Sequence, residues 1–484
     1  MPLDPLAAIE QDARQDAAGR VLALAADLLA SSATGHGPVS PATPAAELAA
    51  RFDEPIPADG RPLDEVLERV RRDVLAESIL LSHPMYLGHQ VSAPLPAAIW
   101  AEAVAAALNN SLAVREMSPA ATVVEHRVIR WMCDLAGLGS EAGGTFTSGG
   151  TEATFTALLA ARAALRPEAW ETGIGNPPAL VCGEHAHYAV ARAAGTLGLG
   201  VRQVVRVRSR EHRMDAGALG AALDRIAGEG REVMAVVATA GSTATGSFDD
   251  LDAIGTICDE RGIWLHVDAA HGASALLSAE HRHRLSGIGR ARSIAWDPHK
   301  MMLAPLSAGM VLVRRERDLE AAFAQQAPYL FHGGDERHWD QGIRSFQCSR
   351  RFDALKVWVA LQRYGANGIA ELHDRLCRRA RELHGLVLRH PAFEPVHEPE
   401  SNILCFRFVA DGLDEAATDE VNGRLRAAYN AAGDGWITLT VLDGRPVLRV
   451  TVMNPRTEVL HLERLLDGLA ATGTALVAQR RETR

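Results

Sequence analysis

Lysine occurs only twice in the 484 residues, at Lys300 and Lys356, so arginine fills 48 of the 50 Lys and Arg positions. Where positive charge alone is needed, this chain uses Arg. A retained lysine is therefore a candidate for chemistry that needs a primary amine, because a guanidinium stays protonated and does not form a carbonyl Schiff base under ordinary conditions. Lys356 lies in RRFDALKVWVALQRYG, whose apolar spacing predicts a helix with the lysine on one face. Lys300 closes ARSIAWDPHK, where a short apolar run ends in Asp297, Pro298 and His299. That puts it in a turn at a strand end, where ligands of α/β sheets bind.

Three other stretches could act with that amine. SGGTEATFTALLAARAAL places Ser148, Gly149, Gly150 and Thr151 in a glycine turn that opens a helix. Such a turn offers backbone N–H groups and the positive end of a helix dipole to a phosphate, although a plain glycine turn with a Thr cap reads the same way. GIWLHVDAAHGAS runs an apolar strand into Asp268, which either caps the next turn or pairs with the protonated ring nitrogen of a cofactor. EHAHYAVARAAG puts His187 just past the strand expected at Cys182, where an imidazole could lie over a ring. Together, amine, acid, glycine turn and imidazole point to pyridoxal 5'-phosphate held as a Schiff base on Lys300. The pairs His185/His187 and His281/His283 have no third ligand motif beside them, so no metal is expected. GTLGLG does not directly follow a strand and open a helix as a dinucleotide fingerprint must, and neither a Walker A loop nor a GxSxG elbow is present.

The elements that must position these residues follow from periodicity. From about Pro84 to Gly365 short apolar runs alternate with helical segments, the pattern of βαβ units and a mainly parallel sheet. Strands are expected at Ala179–Cys182, Gln203–Val207, Val233–Thr239, Ile263–Asp268, Ser293–Trp296 and Gly309–Val313. Residues 5–30 and Leu63–Leu81 read as helices around a Ser/Gly/Pro loop at Ser31–Pro44. A charged helix at Ile369–Leu388, then strands at Ile403–Phe408 and Val447–Val452, predict a smaller α/β domain. The expected division is a helical segment over 1–83, a large cofactor-binding domain over 84–368 and a small domain over 369–484.

Composition narrows the function. A length of 484 residues exceeds what one core supports, and 47% hydrophobic with 23% charged residues is ordinary for a globular protein. The net charge of −10 gives no basic face for nucleic acid or an anionic membrane. Six dispersed cysteines without CxxC spacing indicate neither disulfide framework nor zinc ribbon. MPLDPLAAIEQDARQ lacks a basic region followed by an apolar run, and no uninterrupted apolar stretch reaches about 18 residues. A cytoplasmic protein acting on small molecules is expected.

The runs SGGTEATFTALLAAR, EHAHYAVARAAG, ATAGSTATGSFDDL, WLHVDAAHGASALLS, HRHRLSGI, SIAWDPHK and SRRFDALKVW, in this order over about His83 to Gly365, resemble the group II pyridoxal-dependent amino-acid decarboxylases. HRHRLSGI and DPHKMM look nearer to the glutamate and cysteine sulfinate branch than to the aromatic one. The resemblance implies a fold-type-I homodimer with active sites at the subunit interface. It makes Lys300 the Schiff-base lysine, Asp268 the ring-nitrogen partner and His187 the ring-stacking histidine. Gly150, Thr151 and His299 would hold the phosphate, with Thr239 and Ala270 lining the cofactor. In VLRVTVMNP, Arg449 matches the arginine that grips the substrate α-carboxylate, and YLGHQVSAP makes Gln90 and Ser92 candidate substrate contacts. The implied reaction is loss of CO2 from an L-amino acid to give the amine.

One feature departs from the family. In FHGGDERHWDQGIRSFQCSRRF, Trp339 stands where the family carries the tyrosine credited with protonating the α-carbon. Either His338, His332 or His187 supplies the proton, or oxygen intervenes and an aldehyde forms. Arg115, in AVREMSP, sits where the resemblance places the partner subunit's pocket edge and so favours an acidic substrate: glutamate, aspartate or cysteine sulfinate. Asp335, Glu336 and Asp340 could favour a diamino acid, or could be solvated loop residues.

Overall fold

The computed structural model describes residues 4–325, 327, 330, 331 and 336–482. They divide into two compact units, one of Gln90–Arg381 with His397–Leu404, the other of Met1–His89, Glu382–Val396 and Cys405–Arg484.

The first unit is built on seven strands: β1 Gly143–Thr147, β2 Ala179–Gly183, β3 Val204–Val207, β4 Val233–Thr239, β5 Trp264–Asp268, β6 Ser293–Trp296 and β7 Gly309–Val313. Their order is β1-β7-β6-β5-β4-β2-β3. β3, β2, β4, β5 and β6 run parallel, and β7 is antiparallel to both neighbours. Every residue of β1, β2, β5, β6 and β7 is buried. That is why these strands read as unbroken apolar runs rather than alternating ones. The helix Gly150–Leu165 packs on the sheet through Ala153, Ala157, Ala160 and Ala161, small residues that let helix and strands approach closely.

Of the six expected strands, Val233–Thr239, Ser293–Trp296 and Gly309–Val313 have the observed limits, and the other three differ by one residue at one end. β1 was not expected, because GGTFT has two glycines and little strand propensity. Packing explains them: a Cβ on Gly144 would lie 2.3 Å from Val311 O on β7.

The second unit holds a four-stranded sheet of β8 Phe393–Pro395, β9 Ile403–Phe408, β10 Thr438–Leu442 and β11 Arg445–Thr451, ordered β8-β9-β11-β10. Residues before His89, expected as a segment of their own, are stitched into this unit. Leu87 N donates to Trp436 O (2.8 Å), Thr451 N to Leu87 O (3.0 Å) and Asn454 Nδ2 to Ser82 O (2.9 Å). The helix expected over Leu63–Leu81 is shorter, running as an α-helix over Leu63–Arg69 and a π-turn over Val70–Leu75. The helix carrying Lys356 and the charged helix expected at Ile369–Leu388 are both present, joined across a kink at Gly365 (φ 69°) within Ala354–Arg389.

Candidate active site

Strand register assembles the site. Thr239 pairs with Asp268, and Asp268 with Ala295, so the carboxyl ends of β4, β5 and β6 stand side by side. A cavity of about 340 Å³ opens there. Its walls include Lys300, Asp268, His187, Thr239, Ala270 and His299, together with the glycine turn Ser148–Thr151. Residues more than a hundred positions apart in sequence converge because each follows a parallel strand.

Lys300 Nζ lies 3.0 Å from Asp297 Oδ2, with the lysine side chain 21% exposed. Asp297 does more than the sequence suggested. Its Oδ2 also accepts from Gly150 N (3.0 Å) and lies 3.5 Å from His299 Nε2. Its Oδ1 is buried with no hydrogen-bond partner among the described residues. The signal was its place at the end of β6, three residues before Lys300.

Asp268 ends β5, 9% exposed, and its Oδ1 accepts from Ala270 N at 3.3 Å. It caps its turn and also faces the cavity. Two residues earlier on the same strand face, His266 Nδ1 lies 3.0 Å from Ser293 Oγ and its Nε2 3.4 Å from Thr154 Oγ1. Complete burial pushes His266 down to about 4, so this ring is neutral. His187 is half-buried and its Nδ1 accepts from Ala189 N (3.3 Å), which leaves the proton of the neutral ring on Nε2. Burial lowers its pKa while Asp268 opposes the shift, so it too is neutral near pH 7. His299 Nδ1 accepts from Ala308 N (3.1 Å), and burial again lowers the ring's pKa. Thr239 is held by Asp249, whose carboxylate accepts from Thr239 N and Met214 N, both at 2.7 Å. Burial pushes Asp249 up to about 6 despite those two bonds.

The glycines are steric necessities. A Cβ on Gly150 would come within 2.8 Å of Ala270 Cβ and 3.0 Å of Asp297 Oδ2, and one on Gly149 within 3.2 Å of His299 Cε1. Thr151 stands in the first turn of the helix Gly150–Leu165, whose N–H groups lack intrahelical partners.

The expected substrate contacts fare differently. Ser92 is buried, and its Oγ donates to His299 O (3.0 Å) and Ala304 O (3.4 Å). Its hydroxyl braces the turn that carries Lys300. Gln90 Nε2 is buried without a partner among the described residues, a donor available to a ligand. Arg449 lies on β11 of the other unit, where Nη1 donates to Thr438 Oγ1 (3.1 Å) and burial lowers its pKa. Arg115 is ion-paired with Glu336, and its N–H donates to Asp340 Oδ1 (2.9 Å). Asp340 is buried, so it is not a solvated loop acid. Trp339 packs edge-on against His126, ring centroids 5.0 Å apart, and Arg344 ties His338 O at 2.7 Å. His332 and Asp335 lie outside the described residues.

Comparison with known proteins gives the same answer as this geometry. Residues 44–409 match the model of the pyridoxal-dependent decarboxylase conserved domain. L-2,4-diaminobutyrate decarboxylase of Rhizobium meliloti is 34% identical over 430 residues, covering 87% of this chain and 84% of that protein. Cysteine sulfinic acid decarboxylase of Mus musculus is 34% identical over 373 residues, 76% and 75% of the two chains. The crystal structure of mouse CSAD superposes with a TM-score of 0.90 at 29% identity over 97% of this chain and 99% of that one. The chain belongs to the group II pyridoxal-dependent decarboxylases.

This decarboxylase is an amino-acid carboxy-lyase whose cofactor is pyridoxal 5'-phosphate. The residues present fit that group. A primary amine opens on the cavity, a buried carboxylate stands at a strand end, and a glycine turn too tight for any side chain leads into a helix N-terminus. Among the described residues no cluster of three His, Cys, Asp or Glu side chains is arranged to hold a metal ion. No described helix is long and apolar enough to cross a membrane.

Proposed function

We propose that this decarboxylase removes CO2 from an acidic L-amino acid, with Lys300 as the attachment lysine. The observation that carries the reading is the convergence on one cavity of Lys300, Asp268, His187 and the Gly149–Gly150 turn. When bound, pyridoxal 5'-phosphate supplies an electron-accepting ring in conjugation with the substrate's amino nitrogen. Asp268 pairs with the ring nitrogen and keeps it protonated. His187, neutral, stacks on the ring without adding charge. Gly150, Thr151 and His299 hold the phosphate through backbone and imidazole N–H groups, while Thr239 and Ala270 line the ring's edge. Lys300 would hold the cofactor's aldehyde carbon, and Asp297, 3.0 Å from its Nζ, is placed to take up or return a proton there. Arg449 receives the α-carboxylate, for which a planar fork is suited. The enzyme works as a homodimer in the cytoplasm.

Acidic substrates are favoured over diamino acids by the likeness of HRHRLSGI and DPHKMM to the glutamate and cysteine sulfinate branch, while Arg115 and the described loop acids, engaged with one another, favour neither. Glu336 pairs with Arg115, and Asp340 accepts from Arg115 N–H. A relative named for an acidic substrate, cysteine sulfinic acid decarboxylase, supports the same choice, although another is named for diaminobutyrate. Gln90, with its unspent donor, is the residue proposed to meet the substrate; Ser92 supports from behind.

A second reading rests on Trp339. Its indole is no useful acid, and a slow protonation of the α-carbon would let oxygen divert the reaction to an aldehyde with peroxide and ammonia. A panel of L-amino acids assayed for CO2, amine and oxygen uptake separates the two. Equal CO2 and amine without oxygen uptake, highest on glutamate, aspartate or cysteine sulfinate, is the expected result. Peroxide in step with CO2 would establish the second reading, and CO2 release confined to diaminobutyrate would overturn the substrate choice.

A further inference from the structure

Attachment of the cofactor accounts for one of the two lysines. The other, Lys356, sits on the helix Ala354–Arg389 with its side chain 2% exposed, inside the structure rather than on a helix face open to water. Its Nζ donates to Ser307 O at 2.7 Å and lies 2.6 Å from Glu102 Oε2 and 3.0 Å from Asp353 Oδ1. Burial raises the pKa of Asp353, and the Lys356 ammonium is the strongest influence pulling it back. Three oxygens thus converge on one nitrogen. An ammonium directs three N–H groups from a single atom, whereas a guanidinium spreads its donors over a planar fork. That geometry accounts for a lysine surviving here in a chain otherwise committed to arginine.

Ser307 is not a remote acceptor. It belongs to the stretch that leads from Lys300 back into β7, and its neighbour Leu306 is on the cavity wall. The stretch closes on itself: Ala304 N donates to Pro298 O (3.1 Å), Ala308 N to His299 Nδ1 (3.1 Å) and His299 N to Ala308 O (3.2 Å). These bonds fix its shape. They do not fix where it stands relative to the sheet, which needs a tie from outside. Ser92 provides one at His299 O, and Lys356 provides one at Ser307 O.

We propose that Lys356, clamped between Glu102 and Asp353, is a positioning residue that holds the 298–308 turn so that Lys300 and His299 face the cofactor. It rests on the reading of Lys300 as the attachment lysine. The test uses the purified enzyme, Lys356→Arg, the charge-free triple variant Lys356→Met with Glu102→Gln and Asp353→Asn, and Lys300→Arg as control. Each apoprotein is titrated with pyridoxal 5'-phosphate, its melting temperature is measured, and borohydride trapping reports the covalent adduct. The Lys356 variants are expected to bind cofactor about tenfold more weakly or worse, equivalent to about 1.4 kcal/mol, whatever their apoprotein stability. The triple variant carries the comparison if Lys356→Arg fails to fold, since it leaves no buried charge unpaired. Cofactor affinity within about twofold of the parent in either folded variant would overturn the proposal. So would failure of both to fold, which assigns Lys356 to stability alone. Lys300→Arg should show no adduct; a persisting adduct there would instead overturn the attachment reading, whatever the Lys356 variants do.

Discussion

The glycine turn offers the sharpest test of how the cavity takes its cofactor, through Gly150→Ala. The added methyl would sit 2.8 Å from Ala270 Cβ and 3.0 Å from Asp297 Oδ2. Ordinary carbon–carbon contact is about 3.5–4.0 Å, so something must move by about 1 Å. Neither neighbour can yield easily: Ala270 is 6% and Asp297 1% exposed, and Asp297 is also tied to Gly150 N and Lys300 Nζ. The start of the helix Gly150–Leu165 must shift instead, and with it the N–H groups aimed at the phosphate. Overpacking of this kind costs about 1–3 kcal/mol. If that cost falls on the bound state, cofactor affinity drops by roughly five- to 150-fold. The assay is titration of apoprotein with pyridoxal 5'-phosphate, read by the absorbance of the holoenzyme. Gly220→Ala is the control. It lies within the helix Ala216–Gly228, and no atom comes within 4 Å of the added Cβ. It should leave affinity unchanged and stabilise the fold by about 0.4–1 kcal/mol. Gly150→Ala protein that binds cofactor within about twofold of the parent would refute the cradle reasoning.

Three further outcomes are expected. Asp268→Asn removes a charged partner from the ring nitrogen, about 1.5–3 kcal/mol, so kcat should fall roughly ten- to 150-fold while the cofactor still binds; an unchanged kcat would remove Asp268 from the mechanism. Glu125→Ala strands the guanidinium of Arg350, which is 2% exposed and bonded to Glu125 at 2.6 and 2.8 Å. Urea unfolding should show a loss of about 3–5 kcal/mol, and a loss under about 1 would mean that Arg350 finds another partner or water. His266 is pushed by burial from 6.5 to about 4. Between those values the unfolded chain takes up a proton that the folded chain refuses, so stability falls as pH drops through this window, by up to about 3 kcal/mol at its lower end. Unfolding curves at several pH values, for the parent and His266→Asn, should differ in slope over that range, and parallel slopes would contradict the assignment.

Much of the fold was legible because a parallel sheet covered on both faces imposes an unbroken apolar run on each strand. Val233–Thr239, Ser293–Trp296 and Gly309–Val313 could be read to the residue. β1 could not, since its glycines answer to the approach of Val311 O rather than to local propensity. The cavity's lining was legible where residue type and strand position pointed the same way: Lys300, Asp268 and the Gly149–Gly150 turn all line it. It was hidden where a residue's duty comes from partners distant in sequence. Ser92 looked like a substrate contact because it lies in a family motif, yet its hydroxyl goes to His299 O and Ala304 O. Asp297 looked like punctuation before Pro298, yet it joins Lys300, Gly150 and His299. Arg115 and Glu336 seemed to argue for opposite substrates, and they pair with one another.

The two lysines show what scarcity can and cannot reveal. Each has an aspartate three residues before it at the same 3.0 Å, Asp297 for Lys300 and Asp353 for Lys356. Local sequence gives both the same ion pair. What separates them is the rest of the shell. Lys300 has one carboxylate, keeps 21% of its side chain exposed and opens on a cavity, so its nitrogen has room to meet a carbonyl carbon. Lys356 has a second carboxylate and a backbone carbonyl, and is 2% exposed. Two carboxylates and a carbonyl within 3.0 Å of its buried nitrogen leave no open approach for an electrophile. Reactivity therefore follows from the acceptors left unfilled around an amine, and the saturated lysine supports the turn that holds the reactive one in place.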